Sequence, residues 1–328
     1  MSPLPRRSLR WLVWIACFSL LLGCSKSDGG KQSSEGPARV KLALNWLPDP
    51  EFGGFYAGRE DGLFKKNGIE VEILGGGAGT PVVQMVATGQ VEFGITGADD
   101  IIVARARGAD IIPILAVFQK SPQAIMAHAS RGAKGISDVL GSGTLAVELG
   151  LPYVAFLKKK YGFDKVKIVP YDGGVARFVN DKDFAQQCFI TSEPLAARQK
   201  GADPSVFLIA DEGFNPYLVV VIAKKSLWTE KPDLVRAFRR ASIEGWRAYL
   251  ADPAKGNAVI AKLNAAMDAE TLGRMAAVQK PLIETEETAK NGLGTMTRER
   301  WEVLGKQLVE LGIITKAPPL DEYLMALE

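Results

Sequence analysis

Short strand-like runs alternate with helical runs from residue 39 onward, restart after about residue 120, and stop for good near residue 225. In "RVKLALN" (39–45) and "IEVEIL" (69–74), apolar side chains fall at every second position, the period of a half-buried strand. Between them, Asp49 and Pro50 have the chemistry of an N-cap and a first helical residue, for a helix reaching about residue 60. "GGGAG" (75–79) predicts a loop, Thr80 a cap and Pro81 the first residue of a helix that Gly89 ends. "VEFGI" (91–95) and "DIIPILAVF" (110–118) add two strands, with Asp99 or Asp100 capping the helix between them. Strand-like runs recur at 123–129, 144–148, 165–171, 185–190 and 206–212, with helical runs such as 152–162 and 192–201 between them. After a last apolar run at 217–225, residues 231–328 form successive amphipathic helices, for example 231–250 and 297–311. Alternation of this kind implies a mainly parallel sheet, because parallel neighbours need a crossover. The chain is therefore expected to be α/β, with two α/β lobes and a C-terminal helical segment. Crossing segments would leave a cleft between the lobes, and open α/β sheets bind ligands at the carboxyl ends of their strands.

The first residues stand apart from this pattern. Arg6, Arg7 and Arg10 precede an apolar run over 11–22, and Leu21-Leu22-Gly23-Cys24 has the form of a bacterial lipobox. Residues 1–23 are expected to be a lipoprotein signal peptide, with Cys24 lipidated as the new N-terminus. The apolar run is shorter than the ~20 residues of a membrane-spanning helix. Residues 24–38 are Ser, Gly and charge, a flexible tether. The folded part would then sit in the periplasm or on the outer face of the cell membrane, held by lipid. The full chain is formally +3, and without the three leader arginines its basic and acidic residues balance at 37 each. Nothing in that balance favours nucleic acid. Lys158, Lys159 and Lys160 fit the solvated face of a helix.

Sparse cysteine and histidine exclude much catalytic chemistry. Beyond Cys17 in the leader and Cys24, only Cys188 remains, so the mature chain has no intrachain disulfide. His128 is the one histidine and lies in the apolar run "AIMAHAS", where packing explains it better than catalysis. No zinc-ligand spacing occurs. "GGGAGT" (75–80) lacks the Gly-Lys-Ser/Thr end of a phosphate loop, and the paired carboxylates of "TGADD" (96–100) fit helix capping better than metal binding.

The loops that follow the predicted strands offer aromatic rings and amides. Trp46, Phe52, Tyr56, Tyr153, Tyr171 and Tyr217 stand at strand ends or helix starts, joined by Asn45, Gln119 and Asn215. Thr96, Gly97 and Asp99 follow the 91–95 strand, and Glu193 opens a helix directly after a strand. Flat walls with a few hydrogen-bonding groups suit a planar, uncharged or weakly cationic ligand. Gly53 and Gly54 stand among four aromatics in "WLPDPEFGGFY", although each glycine weakens a helix by roughly 1 kcal/mol. The expectation is that they clear the first helical turn so that a flat ligand reaches its backbone between Trp46 and Tyr56.

"LNWLPDPEFGGFYAGREDGLFKKNGIEVEI" and "MVATGQVEFGI" (85–95) resemble the opening of the ABC-transporter substrate-binding proteins of the thiamine-pyrimidine-precursor, sulfonate and nitrate group. The matching positions are Trp46, Pro48, Gly54, Tyr56, Gly62-Leu63-Phe64 and Gly68-Ile69-Glu70-Val71. The resemblance is specific over about 41–125 and looser to about 250. It implies a type II periplasmic-binding-protein fold in which two lobes close about a hinge. The first lobe would comprise 39–121 and 223–328, the second 122–222. It also implies a monomer that binds a small molecule without a cofactor and hands it to ABC permease and ATPase subunits. Phe52 stands where pyrimidine-binding members have histidine, and Ser192-Glu193 where several have Trp-Glu. The acidic contact carries over to Glu193 while its aromatic neighbour does not. With no obvious Lys or Arg in the predicted cleft loops, Arg177 just after 171–175 excepted, an aromatic heterocycle such as a thiamine pyrimidine precursor or a flavin fits better than a sulfonate. Some relatives of the group are cytosolic pyrimidine synthases. Their resemblance brings a lysine, histidines and a cysteine-rich iron motif that this chain lacks.

Overall fold

The computed structural model describes residues 36–325. The leader, Cys24 and all but the end of the tether lie outside these residues. Two five-stranded sheets organise the rest, and they share one plan.

The first sheet is built from β1 (Ala38–Ala43), β2 (Ile69–Leu74), β3 (Phe93–Thr96) and β4 (Ile111–Phe118), with α1 (Gly53–Glu60), α2 (Leu63–Lys66), α3 (Val82–Ala87) and α4 (Ala98–Ala106) between them. The second contains β5 (Gln123–His128), β6 (Thr144–Val147), β7 (Lys167–Pro170), β8 (Phe184–Phe189) and β9 (Pro204–Leu208), with α5 (Ile136–Val139), α6 (Pro152–Tyr161), α7 (Ala176–Asn180) and α8 (Glu193–Gln199). The chain then returns. β10 (Leu218–Lys224) joins the first sheet, followed by α9 (Lys225–Glu230), α10 (Pro232–Ala251), α11 (Ala254–Leu263), α12 (Ala269–Ile283), α13 (Glu286–Asn291) and α14 (Arg298–Glu310).

The strand orders are β2-β1-β3-β10-β4 and β7-β6-β8-β5-β9. In each, the first three strands are parallel and the fourth position is antiparallel to both neighbours. The antiparallel strands are β5 and β10, the two that the chain enters straight after crossing between sheets. β4 and β9 run parallel to the first three strands of their sheets, so both crossings leave from carboxyl ends and arrive at the same ends of the other sheet. The topology alone turns the carboxyl ends of the two parallel sets toward one cleft, with the crossings at 119–122 and 213–217 as its hinge.

Local chemistry explains the elements. Pro113 removes a backbone donor, and it is tolerated because β4 is an edge strand whose pairing with β10 is irregular beyond Val221. Every residue of β4 is buried, since α12, α10 and the bridge from Ala116 to Gly294 cover it. The apolar strip of α10 places Val235, Phe238, Ala241, Trp246 and Tyr249 on α1 and the sheet. Asp49 caps as expected, accepting from Glu51 N at 2.8 Å, but the element it starts is a short 3-10 turn, Pro50–Phe52, leading into α1. Thr80 accepts from Gly77 N and closes its own loop, while the helix begins after Pro81. The expected lobe boundary at residue 222 falls inside β10. The return crossing ends before Leu218, because the whole strand pairs with β3 and β4.

Candidate functional site

The loop after β1 forms one side of the cleft. It exposes Trp46 and Leu47, at 43% and 49% of their surface, beside exposed Asn45. The glycine loop after β2 lies directly on it. Gly76 N donates to Trp46 O at 2.9 Å, and a side chain at 76 would overlap Leu44 O. These glycines serve a close backbone approach, with no phosphate cradle needed to explain them. Next along the chain, Asp49 is 6% exposed and Glu51 is half-buried. A cavity of about 650 Å3 opens between α3 and α4, lined by Asn45, Thr80, Gln84, Thr96 and Asp100, with Arg107 at the opposite end of α4 from Thr96. It brings together Asn45 and Thr96, two of the predicted contacts. Thr96 donates to Asp100 at 2.8 Å, and the Asp99 carboxylate fills the space that a side chain on Gly97 would need.

In the second lobe, Glu193 opens α8 and is held by three donors. Tyr171 OH bonds one carboxylate oxygen at 2.7 Å, while Phe189 N and Ser192 Oγ each bond the other at 2.8 Å. Such charge-assisted bonds fix the carboxylate in place. The loop after β6 exposes Leu149 at 64%. Its backbone is set by Gln187, whose side-chain oxygen accepts from Glu148 N at 2.6 Å and from Tyr153 OH. Cys188 is buried beneath Glu193, and burial with that carboxylate pushes its thiol well above the usual range. His128 is stacked on Phe178 with centroids 4.1 Å apart and its Nε2 2.6 Å from Phe178 O, a packed histidine.

Charge is the unusual property of these loops. They carry Asp49 and Glu51 after β1, Asp99 and Asp100 after β3, Glu148 after β6, Asp172 after β7 and Glu193 after β8, with no lysine or arginine among them. Burial pushes Asp49 up to about 7 against the bond from Glu51 N that favours its charge, with Glu193 adding to the rise. Burial, then Asp49 and Glu193, hold Glu51 well above the carboxylate range. Burial and the neighbouring carboxylates thus favour the neutral forms of Asp49 and Glu51. Asp99 is likewise pushed up to about 7 by burial and by Asp100.

Several expected contacts have other work. Gly53 and Gly54 do not open the helix to a ligand. A side chain at 53 would overlap the Tyr249 ring and one at 54 the Trp246 indole, so both let α1 pack on α10. Phe52 is wholly buried in the core. Tyr56 forms no exposed wall. It is 1% exposed, with the Arg59 guanidinium 5.5 Å from its ring centre. Tyr153 is a buried support for the 148–149 loop. Gln119 and Asn215 stitch the hinge. Gln119 Nε2 donates to Ala116 O and Thr295 O, and Asn215 accepts from Ser121 N at 2.8 Å while donating to Gln119 O at 3.4 Å. Tyr217 is buried under Arg300, 3.6 Å from its ring centre, and accepts from Thr297 N. What remains on the cleft side is Asn45, Trp46, Thr96, Tyr171 and Glu193. Leu47, Glu51 and Leu149 join them, and sequence reasoning missed them. An exposed leucine is indistinguishable in sequence from a core one, and only the strand-end position of Leu149 marks it.

The family model described as "NMT1/THI5 like" matches residues 49–256. The chain belongs to the NMT1/THI5-like family. Among curated proteins of this kind, it is 26% identical over 276 residues to the riboflavin-binding protein RibY of Chloroflexus aurantiacus, covering 80% of this chain and 78% of that protein. It is 21% identical to a formylaminopyrimidine-binding protein of Halalkalibacterium halodurans, over 75% of this chain and 76% of the relative. The periplasmic aliphatic sulphonate binding protein SsuA of Escherichia coli has the same fold, with a TM-score of 0.69 at 14% identity, covering 89% of this chain and 93% of SsuA. This member of the NMT1/THI5-like family thus has the two-lobed fold of the periplasmic binding proteins. Among the described residues no helix is long and apolar enough to cross a membrane.

Proposed function

We propose that this protein captures a small aromatic heterocycle, of the thiamine-pyrimidine-precursor or riboflavin-like class, in the interlobe cleft and delivers it to an ABC permease and its ATPase. The observation that carries the reading is the composition of the strand-end loops. They pair exposed apolar groups, Trp46 and Leu149, with a carboxylate held rigidly by three donors, and they contain no base to neutralise an oxyanion. A sulfonate beside these loops would face carboxylates, with Lys120 paired to Asp211 and Arg107 at the far end of the α3–α4 cavity, so the likeness to SsuA supports the fold and not its ligand. The chemistry is binding without turnover. Cys188 is buried with its thiol pushed up, and His128 is stacked in the core, so neither meets the cleft as a nucleophile or base. The lipobox at Cys24 supports a lipoprotein tethered outside the cytoplasm.

Trp46 supplies the readout, because Trp246 and Trp301 are buried in the core and Trp228 stands on α9 under Arg236, beyond the end of β10 that is away from the cleft. Titrating the purified protein with pyrimidines, flavins and alkanesulfonates should quench or shift tryptophan fluorescence and raise the melting temperature for a heterocycle alone. A response confined to sulfonates, or none to any of the three classes, would refute the assignment.

A further inference from the structure

We infer that the ligand is a flat ring bearing a hydroxylated chain, with the ring against Trp46 at the cleft and the chain laid along the cavity between α3 and α4. The inference rests on the heterocycle-binding reading above and narrows its ligand class. β1 and β3 are parallel neighbours with Ala43 opposite Gly94, so Asn45 and Thr96 leave the sheet side by side. Both line the cavity, and the residue after Asn45 is the exposed Trp46. From there the cavity follows α4 as far as Arg107. Asp100, Ala104 and Arg107 recur at the spacing of one helical face, and Thr80, Gln84 and Ala87 do the same on the α3 side. The stretch from Asp100 to Arg107 spans about 10 Å at the rise of an α-helix. The α3 wall is firmly seated, since Val82 and Val86 pack on Gly94 of β3, where a side chain would overlap both.

The cavity holds about 650 Å3, in the range of sites that bury a drug-sized ligand and more than a single pyrimidine ring needs. Its walls mix donors, acceptors and aliphatic surface. The Asn45 and Gln84 amides and the Arg107 guanidinium make no side-chain hydrogen bond among the described residues. The Thr80 hydroxyl accepts from Gly77 N at 2.9 Å and keeps its proton to give. Thr96 gives its proton to Asp100 Oδ2 at 2.8 Å and keeps a lone pair, as does the other Asp100 oxygen. Val83, Ala87 and Ala104 fill the space between these groups. A hydroxyl both donates and accepts, so successive hydroxyls on a carbon chain can use both kinds of partner while the carbons cover the aliphatic surface. A chain ending in an anion would have to pass Asp100, one ending in an ammonium would run toward Arg107, and a hydrocarbon chain would leave the polar walls without partners.

The test compares riboflavin with lumiflavin, which has the same ring and a methyl group in place of the ribityl chain, on the full-length protein by calorimetry at neutral pH. A third probe, 4-amino-5-hydroxymethyl-2-methylpyrimidine, is a ring without a long chain. Riboflavin should bind at least about tenfold more tightly than lumiflavin, the scale of one or two hydrogen bonds. Ala104→Phe, which blocks the middle of the cavity, should remove that advantage and leave lumiflavin within about twofold. Gln84→Ala, at an exposed position, should weaken riboflavin about threefold to tenfold without changing lumiflavin, and it keeps the test open if the larger side chain at 104 disturbs the fold. Lumiflavin binding as tight as riboflavin overturns the chain inference and leaves the heterocycle reading standing, as does binding of the pyrimidine with neither flavin bound. An equal loss of both flavins in Ala104→Phe, or wild-type riboflavin affinity in both variants, also overturns it. If none of the three probes binds, both readings fall.

Discussion

A methyl group at Gly54 would overlap the Trp246 indole, and one at Gly245 would overlap Gly54 O and Gly58 Cα. Three glycines on two helices thus set how closely α1 and α10 approach. Gly54→Ala is expected to cost about 1–3 kcal/mol in urea unfolding, the range for overpacking a tight interface, while ligand affinity of the folded fraction stays unchanged. A stable variant with lost affinity would return Gly54 to the site. The sequence showed that glycines beside aromatics needed a reason, but the reason lies on a helix almost 200 residues further on, which no local pattern reveals. The cap at Asp49 and the strand-end positions of Trp46 and Glu193 were legible because capping chemistry and strand ends are local signals. The hinge roles of Gln119 and Asn215 were not, since an amide at a strand end looks the same whether it bonds a ligand or the opposite crossing.

Among elements, β10 combines the clearest sequence signal with the least expected backbone. Its apolar run was readable, as were the alternation of β1 and β2 and the strand-like runs of β4 and β8. Its antiparallel place in the first sheet was not, because alternation reports burial and says nothing of partner or direction. Where β10 begins, after the second crossing, Val219 has φ +50°, the only positive value at a non-glycine residue among the described ones. A β-branched side chain in that region stores roughly 1–3 kcal/mol of strain. The strain sits where the chain turns from hinge into sheet, with Val219 buried. Replacing a buried valine by glycine normally costs both packing and chain entropy. At 219 the relief of strain offsets part of that, so Val219→Gly should destabilise by about 1–3 kcal/mol less than Val220→Gly, its fully buried neighbour. Equal losses in urea unfolding would show that the conformation at 219 stores no strain.

At the scale of the whole molecule, hydrogen bonds from the second lobe reach the C-terminal helices. Gln199 donates to Thr271 Oγ1 at 2.7 Å, Lys159 to Glu310 O at 2.9 Å, and Gln307 to Gly213 O at 2.7 Å. Asp49 and Asp99 are pushed up by burial, and pH decides what that burial costs. Asp49 and Asp99 titrate near 7 in the folded protein against 3.8 ordinarily, so between about pH 4 and 7 the folded state holds protons that the unfolded chain has released. Stability from these groups is fully present below the lower value, falls as pH rises through the window, and levels off above it. Asp268 and Glu212 shift the opposite way, and their loss of stability on protonation falls at lower pH, beneath their ordinary 3.8 and 4.5. Urea unfolding of the ligand-free protein should therefore give less stability at pH 8 than at pH 5, by on the order of 2 kcal/mol. Asp49→Asn should flatten that slope, since the amide oxygen keeps the cap and the charge is gone. A ligand-free protein that gains stability from pH 5 to 8, or an Asp49→Asn variant with the wild-type slope, would show that Asp49 is not the group being strained.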